Sequence, residues 1–160
     1  MTLTSSPASA LAAAIKSERA GVQALLETLG EERQLLGTGD TDRLTETASR
    51  KRELLLQLAQ FGNQRNQLLR RAGFSPDAHG MRAFLKHPAA ATEFRTEWEL
   101  LLEVTQRARR LNEENGIFID AGMRANQQAL SVLISAASGN TYGPGGRTVS
   151  PLSSRTLASA

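Results

Sequence analysis

Residues 92–136 read TEFRTEWELLLEVTQRARRLNEENGIFIDAGMRANQQALSVLISA, with no proline to interrupt them. Within this stretch Leu101, Ala108, Asn115, Gly122, Ala129 and Ala136 recur every seven residues, flanked by Val104, Leu111, Phe118, Ala125 and Val132. That spacing is the seam of a helix packed lengthwise against other helices. Most of the row is small, so a neighbouring helix can approach closely. A helix from Ala89 or Thr92 to about Ala136 would be roughly 70 Å long at about 1.5 Å per residue.

Upstream, Gly73, Pro76 and Gly80 break the pattern, and Pro88 ends a connector in which Met81, Phe84 and Leu85 form a short helical cap. Before it, Asp40 or Thr41 caps a second helix. Leu44, Ala48, Leu55, Leu58, Leu69 and Ala72 lie on one face of that helix, with Leu54, Phe61 and Leu68 alongside. The first helix follows a lead-in, residues 1–9, with Ser6 or Ser9 as cap. Ile15, Val22, Leu29 and Leu36 recur every seven residues with Leu11 and Leu25 between them, and Glu18 and Glu32 interrupt the seam. Gly37, Gly39 and Asp40 stop this helix, and so short a loop makes the first two helices antiparallel neighbours. Downstream, residues 137–160 are mainly Gly, Ser, Thr, Pro and Ala. Such a composition buries too little surface to offset its ordering entropy and is expected to be a disordered tail. The expected fold is all-α, an elongated antiparallel three-helix hairpin or bundle with coiled-coil-like seams. Its single helical domain spans residues 10–136.

The composition agrees: 40 % of the 160 residues are hydrophobic but only 4 % aromatic, which favours helices with aliphatic seams over sheets. Cysteine is absent, excluding disulfide and thiolate chemistry. The net charge of +3 is too small to imply nucleic acid. Arg50-Lys51-Arg52, Arg70-Arg71 and Arg107 with Arg109-Arg110 sit beside acidic or polar residues and read as solvated helix faces. No run reaches the roughly 20 apolar residues that span a bilayer. The opening residues lack a basic signal-peptide region. The expected location is therefore cytoplasmic, without stable membrane insertion.

Catalytic chemistry is not found. His79 and His87 have no carboxylate at ligand spacing, so no metal is expected. Gly143-Pro144-Gly145-Gly146-Arg147-Thr148 lacks the lysine and glycine spacing of a phosphate loop. No nucleophile elbow occurs. The reading is a non-enzyme without cofactor.

The first two helices would each be nearer 45 Å. The long helix, antiparallel to the second, should then outrun the hairpin from about Asp120. There a second apolar stripe appears, Ile119, Met123, Leu130 and Ile134. It suits an amphipathic helix of another chain docking as in a groove. The alternatives are that the connector after Gly73, or a second copy in a homo-oligomer, covers it. Asn112, Asn115 and Asn126 either set register or recognise a partner. Gly116 and Gly122 suit close packing or bending.

The segment Arg110-Leu111-Asn112-Glu113-Glu114-Asn115-Gly116-Ile117-Phe118-Ile119, then Asn126-Gln127-Gln128-Ala129-Leu130, then Thr141-Tyr142-Gly143, resembles the C-terminal signature of FlgN flagellar export chaperones. The resemblance implies a chaperone for the two hook-associated proteins of the hook–filament junction, holding their terminal, chiefly C-terminal, segments before type III export. It implies that the far part of the long helix binds these clients. In this sequence that assigns Leu111, Asn115, Phe118, Ile119, Met123, Asn126, Gln127, Leu130, Leu133 and Ile134. It implies further that a tail tyrosine, here Tyr142, contacts the cytoplasmic domain of the export gate. Readings from other classes are a self-assembling coiled-coil scaffold and a basic helical nucleic-acid binder.

Overall fold

The computed structural model describes residues 7–139, which form four helices and no strand. α1 is Pro7–Leu36, α2 is Thr41–Arg71, α3 is Ala78–Lys86 and α4 is Thr92–Gly139. α1 opens on Pro7, whose missing N–H costs nothing in a first turn. Ser9 therefore lies inside the helix rather than capping it, and Ser6 lies outside the described residues. Gly39 and Gly73 adopt φ of 72° and 86°, the left-handed backbone that turns the chain after α1 and after α2. Asp40 caps α2 by accepting the Arg43 N–H at 3.1 Å, while Arg70 and Arg71 complement the dipole at its other end. The chain divides into two units, one closing at Ile119 and one opening at Asp120.

In the first unit α1 is the central element. Its buried row, Leu11, Ile15, Val22, Leu25 and Leu29, joins Leu69 of α2, Met81 and Phe84 of α3, and Phe94, Leu101, Val104 and Ala108 of α4 in one core. Ile15, Val22 and Leu29 of the α1 row and the first half of the α4 row are thus buried as their spacing predicts, while at the end of α1 it is Leu35 that is buried and Leu36 is only half-buried. The α2 face differs. Leu55 is 50 % exposed, and the row packed against the core runs through Leu54, Leu58 and Leu68. The run Leu54-Leu55-Leu56 leaves this phase open in sequence, and Gly21 decides it. A Cβ at Gly21 would lie 3.0 Å from Leu58 and 3.2 Å from Phe61, so these two side chains close directly onto the α1 backbone.

Ion pairs define the directions of the helices. Glu18 accepts from Arg65 at 2.5 and 2.7 Å, and Glu31 pairs with Arg50, so α1 and α2 are antiparallel. Lys16 reaches Glu93 at 2.8 Å, Arg19 reaches Glu97 at 2.9 Å and Arg33 approaches Glu114 at 3.9 Å, so α1 and α4 are parallel. Between them lies the one buried carboxylate of α1, Glu32, only 4 % exposed. It accepts from Lys51 of α2 at 2.6 Å and from the Asn115 amide of α4 at 2.8 Å. That amide donates also to the Leu29 carbonyl at 2.9 Å. Glu32, which reads in sequence as a flaw in the seam, joins three helices.

Lys51→Ala would leave this carboxylate buried with an amide alone. The loss expected from urea unfolding is about 2 kcal/mol, less than for a wholly buried pair because Lys51 keeps some solvent. Adding Glu32→Leu should recover most of it.

The connector is held by edge-to-face rings, Phe74 against Phe84 at 5.4 Å and Phe84 against Phe94 at 5.0 Å. Asp77 caps α3, accepting from the Gly80 N–H and the Ser75 hydroxyl, each at 2.8 Å. The Gly80 bond first, then Ser75, hold the Asp77 carboxyl below its usual range. A depressed folded value means that the cap stabilises fully above the unfolded carboxylate pKa and is lost as pH falls through the folded one. The midpoint of thermal unfolding, followed by circular dichroism, should therefore drop across that acid window. Asp77→Asn, which still caps but does not titrate, should reduce the drop.

Candidate partner-binding face

The α1–α4 contacts described above end at Arg33, whose guanidinium stacks 4.1 Å over the Phe118 ring and approaches Glu114. From Ile117 to Ser138 every residue is exposed. Ile119 is 38 % exposed, Met123 57 %, Leu130 58 %, Leu133 65 % and Ile134 65 %. Soluble chains rarely leave so continuous an apolar run uncovered unless something binds it.

Residues 120–138 sort by side. At about 100° per residue, their apolar members from Ala121 on one edge to Ile134 on the other cover about 220° of the helix. Asp120, Arg124, Gln127, Gln128, Ser131, Ser135 and Ser138 share about 100° of what remains. Asn126 is the polar residue inside the apolar arc. Asp120 and Arg124 are the charged residues of this stretch, and both stand on the polar side. The arc can offer a partner dispersion and desolvation, and one amide.

The residues assigned in sequence separate into two groups. Met123, Leu130, Leu133 and Ile134 stand exposed on the arc with Asn126; at the end of the first unit Ile119 is exposed and Phe118 is 54 % exposed under Arg33. Gln127 is exposed on the polar side. Leu111 is half-buried against the core, and Asn115, at 1 % exposure, is occupied by Leu29 and Glu32. Asn115 is therefore no free contact for another chain: its place at the junction of three helices spends its donors internally. Asn112 and Asn126 are exposed. The tail expected from residue 137 begins later, since residues 137–139 still belong to α4, and Tyr142 with the rest of that tail lies outside the described residues. Gly116 and Gly122 serve no close packing in this chain, since nothing lies within 4 Å of a Cβ at either.

Ala125, Val132 and Ala136, which the seven-residue spacing places on or beside the seam for a neighbouring helix, are all exposed and form the other side of the arc.

Other surfaces are less suited to binding. A groove of about 520 Å³ between the start of α1 and the start of α4 is lined by Ala8, Ala12, Phe94 and the Lys16–Glu93 pair, whose charges neutralise one another. Mutual pairing raises the Lys16 pKa and lowers that of Glu93. The basic clusters are partly neutralised as well: Arg50 pairs with Glu31, Lys51 with Glu32, and Arg109 with Glu113. No group of three or more metal-ligating side chains occurs among the described residues, and none of the described helices is long and apolar enough to cross a membrane. His87 stacks edge-on against Phe74 at 5.8 Å.

Residues 6–150 match the profile of the family described as FlgN protein. No curated protein and no solved structure matches the chain.

Proposed function

The chain belongs to the FlgN family of flagellar export chaperones, and from that premise we propose that it binds the C-terminal segments of the two hook-associated proteins of the hook–filament junction and carries them to the export gate. The observation that supports this reading is the run from Ile117 to Ser138, exposed at every residue and nearly uncharged. A chain awaiting secretion stays unfolded, and its own apolar helical positions would self-associate or be cleaved. Docking them on Ile119, Met123, Leu130 and Ile134 hides both surfaces at once.

Magnitudes fit a reversible complex. Burying the exposed half of four such side chains stabilises by about 1 kcal/mol each, and the partner's matching side chains contribute similarly. Ordering a disordered segment costs about 2–5 kcal/mol. The surplus is enough to hold a client and small enough to release it at the gate without nucleotide. The same reading has the chaperone work in the cytoplasm, without catalysis or cofactor.

Because Met123, Leu130 and Ile134 are exposed, replacing all three with Ser should leave the far-ultraviolet circular dichroism and the unfolding midpoint nearly unchanged. Affinity for fragments of the hook-associated proteins, measured by calorimetry, should fall at least about tenfold. Unaltered affinity would remove the basis of the proposal.

Tyr142 is the only tyrosine, in a stretch of small residues, and in this reading it anchors the chaperone to the cytoplasmic domain of the export gate. Tyr142→Ala should lower secretion of the hook-associated proteins while sparing client affinity. Normal secretion by that variant would refute the assignment.

A further inference from the structure

We infer that in the free chaperone the bulky side of the exposed part of α4 pairs with the same side of a second copy, parallel and in register, and that a client displaces this pair when it binds. The self-pairing stands on its own observations; its displacement rests on the client-binding reading above.

The arc is uneven. Between residues 120 and 138 its bulky members Met123, Leu130, Leu133 and Ile134 share about 100° of the helix with Asn126 and Ala137. That is the width of stripe by which a helix faces one neighbour. Within it Met123, Asn126, Leu130, Leu133 and Ala137 follow one another in steps of three and four, the spacing of a coiled-coil seam, and all five are exposed. The small residues of the arc lie on its other side and take no part in this pairing.

Two features of the stripe fit its own copy. The first is charge. A stripe can face itself in register only if it carries none, because identical charges would otherwise meet; Asp120 and Arg124 both stand on the polar side of the helix. The second is Asn126, the one polar side chain of the stripe. The first unit shows what a covered seam amide requires: Asn115, at 1 % exposure, donates to the Leu29 carbonyl and to Glu32. The stripe of a second copy offers a single polar group, its own Asn126. Parallel pairing in register sets the two amides opposite one another while Met123, Leu130 and Leu133 each meet their like. An antiparallel pair centred on Asn126 would instead set Met123 against Ala129, outside the stripe. A lone amide in an apolar seam fixes register in this way at some cost in stability. A seam about 28 Å long buries on the order of 1,000 Å² between two copies, the low end for a specific interface. Such a pair comes apart on dilution and yields to a client.

The chain has no cysteine, so single cysteines can report which residues meet. In the full-length chaperone without client, Met123→Cys and Ala137→Cys should each form a disulfide between copies under mild oxidation, and an equimolar mixture of the two variants should form no mixed disulfide. Light scattering of the wild-type chain should show a dimer that dissociates on dilution. Asn126→Lys, which sets like charges face to face, should raise the dissociation constant at least about tenfold with far-ultraviolet circular dichroism unchanged. Adding Asn126→Leu to the cysteine variants should tighten the association and admit the mixed disulfide, because register is no longer specified. A wild-type chain that stays monomeric at every concentration, or a mixed disulfide in place of the two like ones, would overturn the inference. With an excess of a C-terminal fragment of a hook-associated protein, the like disulfides should disappear as a one-to-one complex forms. Disulfides that persist in a fragment-bound complex would refute the displacement. Like disulfides in a chain that binds no fragment would support the self-pairing and remove the client-binding reading, and the displacement with it.

Discussion

A carboxylate withdrawn from water must be met by donors, and Glu32 is met from two other helices at once. Lys51 and Asn115 reach it only if α2 and α4 hold one axial position each relative to α1. The pairs Glu18–Arg65 on one side and Lys16–Glu93 on the other lie along the same antiparallel and parallel alignments. Aliphatic seams alone tolerate slippage by a heptad, because each leucine resembles the next. A buried charge with a defined donor set does not. The network therefore adds specificity at a cost in stability that a wholly apolar core would avoid.

That register governs what remains uncovered in the first unit. Contacts between α1 and α4 begin at Lys16 and Glu93 and finish at Arg33, Glu114 and Phe118. Had α4 settled one heptad differently, Phe118 would exchange surroundings with Leu111, which packs against the core. The exposure of Phe118 at the end of the first unit is thus tied to where a polar network places the helix there. A family of export chaperones needs such an arrangement: a stable core for itself and an apolar surface that its own core does not consume.

The character of that surface matters as much as its extent. Its recognition groups are aliphatic side chains, one thioether and one amide, with the two charges turned to the other side of the helix. On the proposed reading such a face would discriminate clients by shape and helical periodicity more than by charge. It suits segments that must be bound while unfolded elsewhere and then given up. On that same proposed reading Met123, flexible and polarisable, would help one surface serve two clients.

Much of this was legible in the amino-acid sequence. Heptad spacing located the long helices, Gly39 and Gly73 marked their ends, and the separation of Ile119, Met123, Leu130 and Ile134 from the first seam pointed to a second face. All of these follow from local periodicity, which the 3.6-residue turn imposes on any helix. The rest depended on neighbours distant in the chain. Only packing against the Gly21 backbone set how closely Leu58 and Phe61 approach α1 while Leu55 stayed half exposed. Only the meeting of three helices turned Glu32 from a break in the seam into its anchor, and withdrew Asn115 from the client surface to which the family resemblance had assigned it. Periodicity tells which side of a helix a residue occupies; whether that side is covered is decided by which other helix reaches it.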